Sequence, residues 1–396
     1  MKFAILIQVA STNWNGGKDF SIKEIDGEVI YKKTLEACLS VSRLLVDKGH
    51  QAEICFIIPD RENERKYFET ELESKRANFF FGDEKDVLNR ILDCAVRNGF
   101  EHIYRVNGSF WYLENQLVSE LVDLYATGDY DLVKLTASFP HGFSGELFSF
   151  SALTKLRSIR SETIVNPVSA FSETGKFQIF ELTPKPNVID PVRVEFIRSK
   201  RLQYEPERAE YNESALIVAG SIYYNIYHKS LDYIKSTDIV LDIASGEGYG
   251  SEILSEKANY VYGGDYDIET IRRSTLKYTK YSNLNYVNVD VTNLPFKDDY
   301  FDVVTSMETV EHVDENLFVE NVSRVLKKDG YLIVTTPQNN YSFNLTPWHV
   351  KEYSANEIRE LLESKFTILK IYGCSSADIF EDSEVGDRMM IVAKKK

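Results

Sequence analysis

One segment in the second half of the chain constrains the fold more than any other. An apolar run at 239–243 contains Asp242 and leads directly into a turn with glycines at Gly246, Gly248 and Gly250. Glycine lacks a Cβ, so the backbone can bend sharply there and a ligand can approach it closely. A strand followed by a glycine-rich turn and a helix is typical of nucleotide-binding α/β sheets, although the turn alone is a weak signal.

Acidic residues follow the next two apolar runs in the same way. Asp265 ends the second run, where a carboxylate can accept hydrogen bonds from both hydroxyls of a ribose, and Tyr266 comes directly after it. Asp290 ends the third run, with Val291 beside it, where a carboxylate can bond an adenine amino group. The pattern therefore indicates a ligand that contains a nucleoside.

Apolar runs of strand length alternate with helical patterns along both halves of the chain, which predicts an α/β fold with two parallel sheets. In the front half, strands are predicted at 3–9, 52–58, 102–106 and 131–134, and helices at 31–48, 84–97 and 114–125. In the back half, seven strands are predicted at 239–243, 260–264, 285–289, 303–306, 331–335, 366–372 and 389–393, with the last two pairing antiparallel.

The back half resembles the class I methyltransferases that use S-adenosylmethionine (SAM). The resemblance covers about residues 215–396 and rests on the segments LDIASGEGYG, GGDYD, VNVDVTNLPF, DDYFDVVTSMETVEHV, VLKKDGYLIVTTP and PWHVKEYS, in the family's order. It implies a Rossmann-like, seven-stranded domain with SAM as its cofactor. An NAD-dependent dehydrogenase is the alternative, but the usual GxGxxG spacing of that class is replaced here by GxGxG.

The same resemblance implies where the cofactor is held. Asp242 and Gly246 are expected near the methionine part of SAM, Asp265 at the ribose and Asp290 at the adenine. The full set of expected cofactor-binding residues is Asp242, Ala244, Gly246, Gly248, Asp265, Tyr266, Asp290, Val291 and Glu308.

A second polar group follows the fourth predicted strand of the back half. If a helix begins there, Glu308, Glu311 and His312 stand at i, i+3 and i+4 and share one face, while His349 follows the fifth strand. Two carboxylates and two histidines could hold Mg²⁺ or Mn²⁺. The pattern resembles the metal site of small-RNA 2′-O-methyltransferases, and ExxEH also occurs in ubiquinone-pathway O-methyltransferases.

Two other interpretations of this group stay open at the level of sequence. Without a metal, Glu308 would line the cofactor pocket and His312 would act as a general base. A purely structural role is the third. Both functional versions predict O-methylation of a hydroxyl, with His312, Glu311 and His349 as the catalytic residues.

The acceptor is expected to be a sugar hydroxyl. PWHVKEYS, at 347–354, resembles a segment of methyltransferases encoded with surface-polysaccharide genes, and the segments 337–347 and 211–228 would cover the pocket. The predicted function is therefore SAM-dependent O-methylation of a glycan or nucleotide sugar in bacterial surface-polysaccharide biosynthesis.

Residues 1–190 resemble the cytidylyltransferase-like family that activates sialic-acid-type sugars and includes spore-coat polysaccharide proteins. The segments GDEKDVLNR, YRVNG and FPHGFSGELF match and imply a nucleotide-diphospho-sugar transferase fold. Where the family has a metal-binding aspartate after Arg105, this chain has Asn107. It has Ser144 at a second acidic position, although Glu146 remains, and Lys18 is the one basic remnant of the triphosphate loop.

This front half is accordingly predicted to be degenerate, because Mg²⁺ would lack its anionic ligands and nucleotidyl transfer its charge neutralisation. It would bind a sugar nucleotide or position a partner. Two rival functions follow: a bifunctional enzyme whose front half still makes a CMP-sugar, and a non-catalytic scaffold that binds sugar nucleotides.

The segment between the halves predicts the domain organisation. A proline-containing stretch and then a densely charged one separate a domain at 1–190, a linker at 191–214 and a domain at 215–396. The four cysteines stand far apart without a CxxC pair and are expected to be buried thiols.

Charge and hydropathy limit the partners. A net charge of −15 disfavours nucleic acid, because phosphate binding needs a basic surface, so an RNA acceptor is only an alternative. No apolar run is long enough to span a membrane and no signal peptide is recognised, which predicts a cytoplasmic protein. The expected partner is a small sugar-containing substrate, and a homo-oligomer is compatible with the sequence.

Overall fold

The computed structural model describes residues 1–12, 18–72, 78–136, 139–185, 188–205, 222–341, 343–375 and 378–396. The chain divides into two compact units, Met1–Pro206 and Glu207–Lys396. The predicted linker at 191–214 begins with a helix of the first unit, and its residues 206–214 lie outside the described residues, as does most of the predicted pocket cover at 211–228. The domain boundaries drawn from the sequence stay predictions.

The first unit alternates strands and helices. Its described strands are β1 (Lys2–Gln8), β2 (Glu24–Ile25), β3 (Glu28–Val29), β4 (Gln51–Pro59), β5 (Asn78–Gly82), β6 (His102–Asn107), β7 (Leu132–Leu135), β8 (Glu146–Ser149) and β9 (Ile179–Leu182). Its described helices are α1 (Ile30–Asp47), α2 (Glu62–Leu72), α3 (Val87–Asn98), α4 (Asn115–Tyr125), α5 (Phe150–Ile159), α6 (Pro167–Thr174) and α7 (Pro191–Arg201).

Seven of these strands form one sheet in the order β5-β4-β1-β6-β8-β7-β9, in which β8 runs antiparallel to its neighbours. β1 is an interior strand and is buried on both faces: Ile5 and Ile7 pack into one hydrophobic cluster, and Ala4 and Leu6 into another. A strand covered on both faces explains the continuous apolar run at the start of the sequence. The predicted α/β class therefore holds for this unit, while β5, β8 and β9 were not predicted.

The second unit has a larger sheet. Its described strands are β10 (Ile239–Ile243), β11 (Tyr260–Asp265), β12 (Leu284–Asn288), β13 (Phe301–Met307), β14 (Leu326–Pro337), β15 (Phe366–Ser375), β16 (Asp378–Phe380) and β17 (Arg388–Lys395). Its described helices are α8 (Ile222–Ser230), α9 (Tyr249–Ser255), α10 (Ile268–Lys277), α11 (Glu315–Val325) and α12 (Ala355–Glu363).

The strand order of this sheet is β12-β11-β10-β13-β14-β17-β15-β16. The five strands β10 to β14 are parallel, and β17 lies antiparallel between β14 and β15, as the predicted pairing of the last two strands required. The prediction of seven strands is wrong by one. The three-residue edge strand β16 pairs with Gly373–Ser375 of β15, and a strand so short has no recognisable alternation in the sequence.

The topology brings the candidate site residues to one edge of this sheet. Because β10 to β14 are parallel, the turns after their carboxyl ends meet at the same edge, where α/β sheets bind their ligands. All four cysteines are buried and free, as expected. Among the described residues, no helix combines the length and the apolar character needed to cross a membrane.

Candidate active site

Asp242 lies in β10 directly before the glycine turn, and its carboxylate is enclosed by the protein. It is completely buried and accepts hydrogen bonds from the hydroxyls of Tyr227, Ser251 and Thr305, at 3.2, 2.7 and 2.7 Å. These donors come from α8, α9 and β13, so the aspartate ties three elements to the end of β10. The described contacts give it a role in positioning the turn, while its predicted proximity to the methionine part of SAM stays a prediction.

Burial has an electrostatic consequence at Asp242. Desolvation raises the pKa of its carboxyl from 3.8 to about 6, although the three hydroxyl donors oppose the shift. The folded chain therefore holds a proton that the unfolded chain releases, so ionisation of Asp242 destabilises the fold as the pH rises from about 4 to about 6. We expect wild type to lose about 3 kcal/mol of stability relative to Asp242→Asn across this window.

Unfolding of both proteins in urea at pH 4 and pH 7 measures this difference. If the free energy of unfolding changed by the same amount between these pH values in wild type and in Asp242→Asn, the buried carboxylate would not be the cause.

The glycine turn is held in left-handed backbone conformations. The φ angles of Ala244, Gly246 and Gly248 are 56°, 51° and 85°, a region that glycine adopts readily and alanine only under strain. A Cβ on Gly248 would meet the hydroxyl of Tyr286 at 2.4 Å, whereas a Cβ on Gly246 would have no described atom within 4 Å. The turn therefore packs tightly on one side and is open on the other.

Asp265 joins the end of β11 to this turn. Its Oδ2 accepts from the backbone N–H of Gly246 at 3.1 Å and its Oδ1 from that of Asp267 at 2.9 Å, and the residue is 3% exposed. Asp265, which is predicted to bind the ribose, thus also holds the backbone of the glycine turn in place. Tyr266, directly after it, is 62% exposed and could cover a ligand lying along the turn.

The predicted adenine contacts lie after β12. Asp290 is exposed, and its Oδ1 accepts from the backbone N–H and the hydroxyl of Thr292 at 2.8 and 2.6 Å. Val291 beside it is buried. Asp290 therefore shapes its own turn, and its bond to an adenine stays a prediction.

Glu311, His312 and His349 come together as a possible metal-binding group. One ligand atom from each lies within 4.8 Å of the others, and this is the one such group found among the described residues. Glu311 is completely buried: its Oε2 accepts from the hydroxyl of Thr336 at 3.1 Å, and its Oε1 has no partner among the described atoms. Desolvation, together with repulsion from Glu308, raises the pKa of Glu311 well above its usual range.

Both imidazoles are oriented through Nδ1. His312 Nδ1 lies 3.1 Å from the carbonyl oxygen of Trp348, and His349 Nδ1 lies 2.7 Å from Oε1 of Glu352. The other oxygen of Glu352 accepts from the side-chain amide of Asn339 at 3.0 Å. Because a carbonyl and a carboxylate accept, each Nδ1 carries the proton, and Nε2 is the nitrogen that bears the lone pair in the neutral ring.

Glu308 does not join this group, because the helix that would place it on one face with Glu311 and His312 does not form. Its φ is 50°, which interrupts a helix, and its carboxylate lies 3.5 Å from Arg388. Val310–His312 form a single 3₁₀ turn, and α11 begins only after Asp314, whose side chain caps the helix. Glu311 and His312 are therefore placed by a tight turn, and the expected four-residue metal set is reduced to three.

The first unit carries a different polar arrangement at the end of β6. Arg105 and Glu146 form a two-point ion pair, with Nε–Oε2 and Nη2–Oε1 distances of 3.0 and 3.2 Å, and both are largely buried. Ser144 contacts the hydroxyl of Tyr104 at 3.1 Å. Asn107 accepts from the backbone and hydroxyl of Ser109. The carboxylate of Glu146 is thus neutralised by Arg105.

Sequence reasoning missed several residues that shape the second unit's site. They are the hydroxyl donors Tyr227, Ser251 and Thr305, the imidazole partner Glu352, the Glu311 partner Thr336, and Arg388. Glu352 stands in the PWHVKEYS segment and could have been found from its i+3 spacing to His349. The hydroxyl donors carry no comparable signal, because serine, threonine and tyrosine are common in such elements.

The C-terminal part of the chain is similar to known methyltransferases. Residues 241–334 match the family of methyltransferase domains. A protein of Mycolicibacterium smegmatis named "Probable S-adenosylmethionine-dependent methyltransferase" is 34% identical over 132 residues, which cover 32% of this chain and 50% of that protein. Rv3030 of Mycobacterium tuberculosis, named in the same way, is 32% identical over 130 residues, 31% of this chain and 46% of its own length.

A third relative is the ubiquinone/menaquinone biosynthesis C-methyltransferase UbiE of Pseudomonas aeruginosa, 30% identical over 165 residues, 35% of this chain and 62% of that protein. The chain thus spans about half the length of the two mycobacterial relatives. The matched residues 241–334 include the glycine turn, Asp265, Asp290 and Glu311. The C-terminal part of the chain therefore contains a class I SAM-dependent methyltransferase domain.

Proposed function

We propose that the chain is a SAM-dependent O-methyltransferase that acts on a sugar hydroxyl, with a divalent cation held by Glu311, His312 and His349. The observation that carries the proposal is this three-residue group at the carboxyl edge of the sheet, next to the strand whose turn would hold the cofactor. The proposed O-methylation rests on the residues of the site, since UbiE among the relatives is named a C-methyltransferase.

The donor set fits a divalent cation on three counts. Glu311 has a buried carboxylate oxygen without a described donor, which is costly unless a cation or proton satisfies it. Both histidines donate a hydrogen bond from Nδ1–H to an oxygen acceptor, the arrangement found behind most metal-bound imidazoles. A mixed set of one carboxylate and two imidazoles suits Mn²⁺ or a similar transition metal better than Mg²⁺, which prefers oxygen ligands.

The chemistry then requires an activated hydroxyl in line with the methyl donor. A bound cation would lower the pKa of an acceptor hydroxyl and orient its oxygen. In the alternative without a metal, His312 would accept the proton at Nε2, since Nδ1 is held by the carbonyl of Trp348. In both cases the turns around the site hold the oxygen and exclude water.

A calorimetric titration with Mn²⁺ distinguishes these two versions. We expect a Mn²⁺ heat in the wild type that is absent from Glu311→Gln. In Glu352→Gln the Mn²⁺ affinity should fall by about 10–100-fold, the usual effect of removing an outer partner of a metal-bound histidine. Glu360→Gln, an exposed position on α12, is the control and should leave the heat unchanged. An unchanged Mn²⁺ heat in Glu311→Gln would contradict the metal site.

For the first unit we propose binding of a sugar nucleotide without catalysis. Glu146 is occupied by Arg105, and the neighbouring positions are the neutral Asn107 and Ser144, so this donor set does not fit Mg²⁺. Among the described residues, the one group of side chains placed to bind a metal ion lies in the second unit. The strand order, with the antiparallel β8 beside β6, supports the proposed nucleotide-diphospho-sugar transferase fold.

The acceptor is tested by methyl transfer from radiolabelled SAM to a panel of nucleotide sugars, free glycans, short RNAs and quinols, with Mn²⁺ and with EDTA. Label on a sugar, abolished in His349→Ala, supports the proposal. Label on RNA or quinol alone would overturn the sugar assignment. Pyrophosphate release from CTP with an acid sugar would overturn the assignment of the first unit.

A further inference from the structure

An ion pair lies beside the candidate cofactor site, outside the group of Glu311, His312 and His349. Arg388 is the first residue of β17 and is in register with Pro337 at the carboxyl end of β14. Its Nη1 lies 3.5 Å from Oε2 of Glu308, and the two side chains are 16% and 21% exposed. Its Nε also lies 3.2 Å from Oδ1 of the adjacent Asp387, a contact on the other edge of the guanidinium that leaves the Nη side for Glu308 or a ligand. A well-formed contact of this kind is about 2.7–2.9 Å long, so the pair is loose.

Glu308 is also incompletely satisfied. Its Oε1 is buried and has no hydrogen-bond partner among the described atoms. Its backbone is held at a φ of 50°, with its N–H donating to the carbonyl of Thr335 at 3.0 Å. A buried acceptor without a donor is costly, and backbone strain of this kind clusters at ligand sites. Glu308 is therefore suited to accept a donor from a ligand.

Helix α8 connects this ion pair to the glycine turn. The hydroxyl of Tyr227 donates to Asp242 at the end of β10. Tyr223, one helical turn earlier, lies with its ring centroid 4.6 Å from Cζ of Arg388. Residues at i and i+4 share a face of a helix. Asp242 and Arg388 therefore both lie against the same face of α8.

Tyr249 is the first residue of α9, and its ring centroid lies 5.5 Å from that of Tyr227 on α8. Its phenol pKa is raised first by burial and then by the negative charges of Asp242 and Glu308, while Arg388 lowers it. The loose ion pair is thus close enough to the glycine turn to act electrostatically on the residue that follows Gly248.

The strand order gives the direction in which a cofactor would lie. The residues expected at the ribose and adenine follow β11 and β12, on one side of β10. The other end of the cofactor must then extend to the opposite side, towards β13, β14 and β17. Glu308 follows β13 and Arg388 begins β17, so the ion pair lies on that side.

We propose that Glu308 and Arg388 bind the amino-acid end of SAM, and that the pair separates to do so. Glu308 Oε1 would accept from the α-ammonium group, and the Arg388 guanidinium would donate to the α-carboxylate, so a loose internal ion pair is exchanged for two charge-assisted contacts with a zwitterion. This inference rests on the proposed methyltransferase function and adds Arg388 as a cofactor-specificity residue.

The experiment compares two ligands that share the adenosine and the thioether. Full-length wild type, Arg388→Met and Glu308→Gln are titrated with S-adenosylhomocysteine and with 5′-methylthioadenosine, which lacks the amino-acid end. Both variants should bind S-adenosylhomocysteine about tenfold or more weakly, while binding of methylthioadenosine changes little. The conservative Glu308→Gln variant keeps the shape of the side chain and guards against misfolding of Arg388→Met.

Three outcomes would overturn the inference. Equal losses for both ligands in both variants would show a structural role for the pair. Unchanged affinity for S-adenosylhomocysteine in both variants would place the pair outside the cofactor site. If wild type bound methylthioadenosine as tightly as S-adenosylhomocysteine, the cofactor site would stand but no amino-acid subsite would exist. Binding of neither ligand by wild type would instead refute the proposed function.

Discussion

In the variant Asp265→Ala, S-adenosylhomocysteine is expected to bind about 10- to 150-fold more weakly than in wild type, a loss of about 1.5–3 kcal/mol. Two effects combine. The carboxylate is the expected acceptor for the ribose hydroxyls, and in the structure it also holds the backbone N–H groups of Gly246 and Asp267. Removing it therefore deletes a ligand contact and frees the turn on which the ligand lies.

Isothermal titration calorimetry measures this loss, and Asp267→Ala is its control. Asp267 is two residues away and caps α10 through the backbone N–H of Thr270, so its replacement should lower stability by about 1 kcal/mol and spare the ligand. If Asp265→Ala and Asp267→Ala lost the same affinity for S-adenosylhomocysteine, Asp265 would act only through the fold.

Two alanine substitutions in the glycine turn are expected to differ sharply. Gly248→Ala carries the strain of a left-handed alanine, about 1–2 kcal/mol. It also forces the new Cβ against the hydroxyl of Tyr286, which now donates to the carbonyl of Gly248 at 2.8 Å. Overpacking adds about 1–3 kcal/mol, so the fold of the second unit should lose about 2–5 kcal/mol.

Gly246→Ala is the matched variant, because its φ is also left-handed while its Cβ would meet no described atom within 4 Å. It should cost only the strain, about 1–2 kcal/mol. Its new methyl group, however, would enter the open side of the turn, where we expect the cofactor. We therefore expect a small loss of thermal stability but a clear loss of S-adenosylhomocysteine binding. Normal binding in Gly246→Ala would place the ligand elsewhere.

Much of the second unit could be predicted because its strands are long, apolar and followed by characteristic turns. The segment at 239–243 is predicted and observed with identical bounds, and the remaining six predicted strands lie within or close to their observed positions. The pairing of β15 with β17 was also predictable, because both segments are strongly apolar and close in sequence. Apolar runs of this kind directly reflect which residues are buried in the sheet.

The parts that could not be predicted depend on tertiary contacts. The left-handed φ of Glu308 has no sequence signal, since glutamate seldom adopts it, so a helix with Glu308, Glu311 and His312 on one face was the reasonable expectation. The Arg388 contact depends on β17 being inserted between β14 and β15. In the first unit, β8 and β9 are four residues each and too short to show a period.

The central claim is that the glycine turn and its neighbours form a working SAM site. Calorimetric titration of the full-length chain with S-adenosylhomocysteine, with NAD as a control ligand, tests it most directly. We expect S-adenosylhomocysteine to bind with a Kd on the order of 1 µM, about −8 kcal/mol, and NAD to give no heat. Folded protein that gives no heat with S-adenosylhomocysteine, or that binds NAD instead, would contradict the account.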